Sequence, residues 1–363
     1  MRFLQLLALV ALLAAPTALS GQDPDRDQDS GPELVGDELL PRHMSPRIVK
    51  SIQRGLAYLA SVQSSDGSWT STPDGAAYPV AMTGLGGMAL LASGSTSSRG
   101  PYADEISKAM RYLMRCSTKN GLITSPGEDN GVPMFGHGFS LLFLATLYGM
   151  ENDPDVRREM VPIIQNAITL TAKGQSKGGG WLYYPGGGDE GSVTITQLQA
   201  LRACHNAGFL VPIETVDKAV EYLEKCKTSE GGICYSLSSR GSGTRLPITA
   251  AAVACLYNAG EYDSELADTC LEYIRKHIGE PDDLNAGGAG GHAYYTHLYA
   301  AQAFYTAGEE FWGTYFPAVS KLLLTAQNGD GSWDGDSVGP VYGSSIALVV
   351  LQLPYKLLPI YQR

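Results

Sequence analysis

Two short stretches near opposite ends of the chain are almost the same: residues 63–69 read QSSDGSW and residues 327–333 read QNGDGSW. Asp and Gly are ordinary turn residues, but a turn requires neither the glutamine nor the tryptophan. A Gln side chain at a helix end can hydrogen-bond unpaired backbone groups, and an indole can cover the turn that follows. We therefore predict that Gln63, Trp69, Gln327 and Trp333 are structural staples, placed in the first and last units of a ring whose ends meet.

A repeat of roughly 50 residues connects the two stretches. Charged amphipathic segments, such as 101–116 and 215–226, alternate with apolar segments rich in small residues, such as 80–93 and 247–260. A helix with one charged face packs on the outside of a domain, whereas a helix with few charges is buried on most sides. Five apolar segments end at a glycine expected to form a left-handed helix cap, namely Gly94, Gly149, Gly208, Gly260 and Gly308. The pattern predicts an all-α fold, a single (α/α)6 toroid of six helix pairs over residues 45–363.

The composition is that of a globular protein with an acidic surface. The 363 residues are 44% hydrophobic and 17% charged, with a formal net charge of -11. Phosphate groups of nucleic acids and anionic lipid surfaces are bound by basic faces, so the charge argues against both as partners. We expect a monomer.

The N-terminal region predicts an exported protein. Residues 1–20 have one early arginine, an apolar run and then small residues, which is the layout of a secretory signal peptide. Residues 21–44 are acidic and poor in bulky apolar groups, which predicts a disordered linker. We expect localisation in the periplasm or outside the cell, with no transmembrane segment after signal cleavage. A retained membrane anchor is the alternative interpretation of residues 1–20.

Export to an oxidising compartment makes the six cysteines informative. Cys226 and Cys234 could form a disulfide across a turn. Cys204, Cys255 and Cys270 lie in helical, alanine-rich segments, where a free thiol packs as a small apolar group. The sequence therefore predicts buried thiols for most of the six and leaves the pairing open.

The Gln–Trp stretches and the six-unit repeat resemble the prenyltransferase and squalene-oxidase repeat superfamily. That group includes squalene–hopene cyclases, protein prenyltransferase β subunits and complement-type thioester domains. The similarity covers roughly residues 46–363, and the C-terminal stretch is similar to exported bacterial members of the group. The resemblance implies a terpenoid-cyclase-like toroid, but it implies less about activity, because one fold hosts many functions.

The catalytic signatures of that superfamily do not carry over to this sequence. The repeat region has no Asp-x-Asp-Asp motif of the class II triterpene cyclases and no Gly-Cys-Gly-Glu-Gln stretch of the thioester domains. Asp268 and Cys270 have the Asp-x-Cys spacing of the prenyltransferase zinc site, and His292 follows. Asp268, however, falls within an outer helix, so the three groups should not converge. We therefore predict no zinc site and no other cofactor.

Candidate ligand-binding residues lie in the turns before the inner helices and in the first turns of those helices. The unpaired N–H groups of helix N-termini would ring one mouth of the central cavity. In the fifth unit, four residues follow helical spacing and predict an aromatic cavity wall. The complete candidate set is His137, Asp189, Glu190, Ser192, Thr194, Gln197, His292, Tyr295, Tyr299 and Gln302. Structural alternatives are helix caps at Asp189 or Ser192, a structural role for His137, and tyrosines packed in the core.

Two classes of function fit these features. In the first, the toroid binds a small apolar or glycan ligand, or an envelope protein, without catalysis. In the second, it is an enzyme, either a terpenoid cyclase or transferase, or a glycan lyase or hydrolase. A glycosidase needs two carboxylates roughly 5–10 Å apart. The carboxylates that could supply such a pair are Glu128, Asp129, Asp189, Glu190 and Asp336. We predict binding, with catalysis as the alternative.

Overall fold

The computed structural model describes residues 33–35, 38–71, 78–125, 132–279 and 292–362. The predicted signal peptide, most of the predicted linker and the carboxylates Glu128 and Asp129 lie outside these ranges.

Twelve α-helices form in the described residues, and they alternate between an outer and an inner ring. The outer helices are α1 (Pro46–Ser61), α3 (Ala103–Arg115), α5 (Pro154–Lys173), α7 (Ile213–Lys225), α9 (Glu265–His277) and α11 (Glu309–Ala326). The inner helices are α2 (Pro79–Leu91), α4 (Pro133–Met150), α6 (Gly191–Asn206), α8 (Leu246–Ala259), α10 (Ala293–Ala307) and α12 (Pro340–Gln352). Units one to six each consist of an outer helix, a turn and the inner helix that follows.

The inner helices close into a ring. Each inner helix packs against the next one along the chain, and α12 packs against α2, so the last unit meets the first. The outer helix α1 also contacts α11 and α12 across the same junction. The predicted all-α toroid of six helix pairs is thereby confirmed.

Burial separates the two rings. All 13 residues of α2 are buried, whereas α3 buries only Ile106, Ala109, Met110 and Leu113, which share one face. Because neighbours cover the inner helices on every side, small residues are needed where two backbones approach. A β-carbon added to Gly84 of α2 would lie 2.7 Å from the carbonyl oxygen of Phe139 in α4.

Four of the five predicted cap glycines have a positive φ, although Gly308, with a ψ of -175°, is outside the left-handed helical region. Gly94, Gly208, Gly260 and Gly308 follow their helices with φ between +85° and +108°. Gly149 instead lies within α4, which continues to Met150. The prediction of a cap at Gly149 is wrong, because α4 ends on the extended backbone of Glu151 rather than on a left-handed glycine.

Two residues that precede α1 also contribute to the core. In the described part of the predicted linker, β1 (Glu33–Val35) and β2 (Glu38–Leu40) pair antiparallel. Leu40 and Met44 are buried in the core. Burial of their apolar surface stabilises an ordered chain here, although the preceding residues are acidic.

The two Gln–Trp stretches tie neighbouring units together. Gln63 Nε2 donates one hydrogen bond within its own turn and another, at 2.9 Å, to the Glu105 carbonyl of α3. Gln327 Nε2 likewise donates within its turn and, at 3.0 Å, to the Ser51 carbonyl of α1. Since α1 belongs to unit one, the Gln327 bond joins the two ends of the ring.

Each tryptophan fastens its turn to the outer helix that precedes it. Trp69 Nε1 donates to the Leu59 carbonyl, and Trp333 Nε1 donates to the Leu323 carbonyl, both at 2.8 Å. Both indoles are fully buried. The turns are therefore held by a hydrogen bond and by apolar packing together.

A third staple, which we did not predict from the sequence, lies in unit three. Residues 175–181 read QSKGGGW, with the same spacing from glutamine to tryptophan. Gln175 Nε2 donates to the Thr215 carbonyl of α7 at 2.8 Å, and Trp181 Nε1 donates to the Thr171 carbonyl of α5 at 2.7 Å. The Gln-to-Trp spacing identifies this staple, although residues 178–180 read Gly-Gly-Gly where units one and six have Asp-Gly-Ser.

The C-terminal segment covers the end of the lumen at which the inner helices finish. Two short 3-10 segments, Leu353–Tyr355 and Pro359–Tyr361, follow α12, and the second reaches α6. Tyr361 is buried there, and Gln352 Nε2 donates to the Ala89 carbonyl of α2 at 3.0 Å. Space within the ring is left toward the N-terminal ends of the inner helices.

Candidate ligand-binding cavity

A cavity of about 560 Å³ lies at the N-terminal ends of the inner helices. All six inner helices contribute to its wall, through residues in their first turns or directly before them. The aromatic members of the wall are Tyr78, Phe135, Phe139, Tyr183, Tyr235, Tyr295 and Tyr342. The aliphatic members are Ala81, Met82, Leu85, Val132, Pro247 and Ile248. A concave wall that is mostly apolar with a few polar groups is typical of small-molecule sites.

Apart from tyrosine hydroxyl groups, the polar side chains of the wall all belong to units three to five. Units one and two supply apolar side chains and Tyr78, whereas units three to five supply Glu190, Ser192, Arg245 and His292. The Tyr183 and Tyr235 hydroxyl groups hydrogen-bond each other on the side of units three to five. The cavity can therefore contact an apolar group on one flank and hydrogen-bonding groups on the other.

Glu190 is the one carboxylate in the described lining. It caps α6: Oε1 accepts the Ser192 N–H at 3.0 Å, and Oε2 accepts the Val193 N–H at 2.9 Å. The Ser192 hydroxyl also donates to both carboxylate oxygens. Burial raises the pKa of Glu190, while these hydrogen bonds oppose the shift. Its carboxylate is thus engaged in holding the helix N-terminus.

Arg245 brings positive charge to the polar side. It directly precedes α8 and is exposed at the cavity. Burial raises the pKa of Tyr235, and the Arg245 guanidinium opposes that shift. His292 directly precedes α10 and is also exposed. Both groups can reach a ligand that enters at the N-terminal ends of these helices.

Four of the sequence-predicted residues meet in the wall: Glu190, Ser192, His292 and Tyr295. The Tyr295 hydroxyl donates to the Ser192 carbonyl at 3.2 Å, which links α10 to α6. Burial raises the pKa of Tyr295 well above its ordinary value. Tyr295 therefore acts as a neutral donor at neutral pH.

Tyr299 and Gln302 lie further along α10 than the cavity, toward the C-terminal end of that helix, although they share a helix face with Tyr295. Tyr299 is fully buried with its ring 4.8 Å from that of Tyr295. Gln302 Oε1 accepts a hydrogen bond from Gln199 Nε2 of α6 at 2.6 Å. These side chains fill the lumen between α6 and α10, so the structure does not bring them into the wall.

His137 and Thr194 hold turns. His137 Nδ1 accepts the Ile123 N–H at 3.2 Å, and its Nε2 contacts Thr171 Oγ1 at 2.9 Å. Thr194 Oγ1 accepts the Trp181 N–H at 2.9 Å. In the other described turns the equivalent acceptors are Thr83, Thr249 and Ser344. The repeat thus assigns these side chains a common structural contact.

Asp189 and Gln197 also contact protein groups outside the described wall. Asp189 Oδ1 accepts the Leu237 N–H at 2.9 Å and fastens the turn of unit four to that of unit three. Gln197 Nε2 donates to the Met134 carbonyl at 2.8 Å, between α6 and α4. Both side chains support neighbouring elements of the cavity.

We expect His137 to make the protein sensitive to acid. Burial lowers the pKa of His137 from 6.5 to about 4. Between these pH values the unfolded chain binds a proton that the folded chain does not. The free energy of unfolding therefore falls as the pH falls through this range, by roughly 2–3 kcal/mol.

The measurement is urea unfolding of wild type and of His137→Thr at several pH values from 7 to 4. Threonine accepts the equivalent turn hydrogen bond in units one, three and four. The variant lacks this proton uptake, so its stability relative to wild type should rise as the pH falls. Buried His297, whose pKa is also lowered to about 4, is common to both proteins. If the difference in unfolding free energy between the two proteins stayed constant with pH, the lowered pKa of His137 would be contradicted.

The three residues considered for zinc do not converge. Asp268 is exposed on α9 and Cys270 is buried on the same helix, whereas His292 lies at the cavity. Within the described ranges, no group of three His, Cys, Asp or Glu side chains is placed to hold a metal ion. Asp336 Oδ2 accepts the Tyr294 N–H at 3.2 Å, at the start of α10.

Several lining residues were not among the sequence candidates. Tyr183 and Tyr235 each stand two positions after the residue that fills the tryptophan site of the turn, Trp181 or Ile233. An alignment of the repeat units would have placed Tyr183 and Tyr235 at equivalent positions. Arg245, directly before α8, has the same position in its unit as Glu190 has in unit three.

Solved structures of proteins with different activities share this fold. An inactive variant of the α-1,6-mannanase of Salegentibacter in complex with α-1,6-mannotriose superposes with a TM-score of 0.65 at 8% identity, covering 85% of this chain and 99% of that chain. The type II terpene cyclase MstE of Scytonema, in complex with geranylgeranyl dihydroxybenzoate, superposes with a TM-score of 0.57 at 15% identity, covering 86% and 98%. A glycosidase in complex with glucose gives 0.57 at 13% identity, covering 86% and 98%.

These similarities concern the fold, since the identities are low. They confirm the α/α toroid fold that the repeat predicts. No family model and no curated protein matches the chain. Across the part of the chain that the structure describes, no helix is both long and apolar enough to span a membrane.

Proposed function

We propose that the protein binds an amphiphilic small molecule with a large apolar part in the cavity at the inner-helix N-termini. One observation carries the proposal: a wall of aromatic and aliphatic side chains, drawn from five of the inner helices or the residues directly before them and from the turns of units three and four, encloses about 560 Å³. Such a volume is within the range of ligand pockets, and most of the binding free energy there comes from apolar burial.

The two flanks of the wall suggest how the ligand lies. Met82, Leu85 and Phe139 face its apolar part, while Arg245 and His292 are in reach of its polar end. Two structural neighbours are in complex with a geranylgeranyl dihydroxybenzoate and an α-1,6-mannotriose, so an apolar ligand and a glycan are both accommodated by toroids. The aliphatic flank favours the apolar class here, because a glycan presents hydroxyl groups that such a flank cannot pair.

The test is calorimetric titration with two probes, farnesol and α-1,6-mannotriose. We expect farnesol to bind and Ala81→Trp to weaken its binding at least about tenfold, since the indole would occupy the space beside α2. Leu210→Trp is the matched control, because Leu210 is 95% exposed on the loop between α6 and α7. This variant should bind farnesol as wild type does.

Other outcomes would overturn the proposal. Mannotriose binding that Ala81→Trp abolishes, without farnesol binding, would identify a glycan site. Equal farnesol binding by wild type and Ala81→Trp would place the ligand elsewhere. Conversion of either probe, detected by mass spectrometry of the mixture, would establish the enzymatic alternative.

We further propose that the chain acts after export, on the strength of the signal-like residues 1–20. The intact mass of the protein recovered from its own cells should correspond to a chain that begins after that segment. A full-length mass would contradict export with cleavage.

A further inference from the structure

Cys226 and Cys234 face each other across the turn of unit four. Cys226 directly follows α7, and the Cys234 N–H donates to its carbonyl at 3.0 Å. The adjacent residues, Lys227 and Ile233, form an antiparallel bridge. Opposite residues of regular antiparallel strands have Cα atoms about 4.5–5.5 Å apart. Here one main-chain hydrogen bond joins the two cysteines, since the Cys226 N–H donates within α7. Disulfides most often join Cα atoms separated by about 5.5–6 Å.

The two thiols share one buried environment. Both side chains are almost completely buried, at 0% and 1% exposure. Burial raises the pKa of Cys226 to about 12, and the neighbouring Cys234 adds to this shift. None of the six cysteines, all of which lie in the described ranges, is joined in a disulfide in the structure. Among them, Cys226 and Cys234 occupy facing positions on the two sides of one turn.

This arrangement distinguishes unit four from unit two. In unit two the Thr124 N–H donates to the Cys116 carbonyl at 3.0 Å, so Thr124 holds the position of Cys234. Unit four also has Lys227 and Ile233 where units one, three and six have the staple glutamine and tryptophan. A covalent link would hold a turn that, like the turn of unit two, lacks the Gln–Trp staple.

We propose that Cys226 and Cys234 form an intramolecular disulfide when the protein meets a disulfide oxidant. One thiolate attacks the oxidant RSSR, forms a mixed disulfide and releases one RSH. The second thiolate then attacks the protein sulfur of the mixed disulfide and releases the second RSH. The two cysteine sulfurs lose two electrons and two protons in total, and the oxidant is reduced to two thiols. Because both thiols are buried, the exchange takes place during folding or when the turn opens.

The experiment is refolding of the whole chain with oxidised and reduced glutathione, then alkylation under denaturing conditions and peptide mass spectrometry. We expect one linked peptide pair containing Cys226 and Cys234, two hydrogens lighter than the separate peptides. The other four cysteines should be alkylated. Dithiothreitol should restore alkylation of the pair and lower the thermal midpoint by about 2–5 °C.

Two variants serve as controls. Cys234→Thr copies unit two and should remove the linked peptide together with the response of the midpoint to dithiothreitol. Thr124→Cys creates the same facing pair in unit two and should yield a second linked peptide with Cys116. Full alkylation of Cys226 and Cys234 after oxidation, or linkage of either to another cysteine, would overturn the proposal. Either of these two contradicting results would be obtained with the wild-type protein, so neither depends on the folding of a variant.

Discussion

Trp333→Ala is expected to lower the free energy of unfolding by about 3–5 kcal/mol, as is usual when a buried tryptophan is truncated. The indole is fully buried and packs at the junction of units six and one, where its ring occupies the space beside Gly55 of α1. The substitution also leaves the Leu323 carbonyl without the bond that Trp333 Nε1 donates at 2.8 Å. Urea unfolding followed by circular dichroism measures the loss.

Trp333→Phe separates the two contributions. This variant keeps most of the apolar contact with α1 but removes the donor, so we expect a loss of about 1–3 kcal/mol. The loss for Trp333→Ala should be clearly larger. If Trp333→Ala cost less than about 1 kcal/mol, this side chain would not hold the ring closed.

Gly84→Leu should destabilise the protein by at least about 3 kcal/mol, because overpacking here meets backbone atoms. A β-carbon on Gly84 would lie 2.7 Å from the Phe139 carbonyl carbon and oxygen and 2.9 Å from the Ser140 nitrogen. A helix backbone cannot move aside as the end of a side chain can, so α2 and α4 would have to separate. Since both helices line the cavity, we also expect the affinity for farnesol to fall.

Gly149→Ala is the matched control with the opposite expected sign. Gly149 lies in α4, is exposed, and has no atom within 4 Å of an added β-carbon. Alanine is favoured over glycine within a helix, so this variant should gain about 0.5–1 kcal/mol. Equal destabilisation by the two substitutions would mean that helix contacts do not explain the glycine at position 84.

The candidate site was recovered in part from the sequence. Glu190, Ser192 and His292 lie at inner-helix N-termini, and this position alone places them at the cavity. Tyr299 shares helical spacing with Tyr295 but lies a turn deeper, where side chains from α6 and α10 fill the lumen. Helical spacing gives the face on which a residue lies and does not give the depth at which the lumen closes.

Local pattern was enough to establish the repeat and its helices. Charged and small-residue helices alternate, turn glycines recur, and the spacing from Gln to Trp repeats. Each of these patterns is formed by residues that are close together in the chain. The composition of the cavity wall, by contrast, depended on ring closure. An inner helix such as α2 is buried along its whole length, so hydrophobic periodicity cannot distinguish its lumen face from its packed faces. Which side chains meet across the cavity is decided when six such helices pack around a common axis.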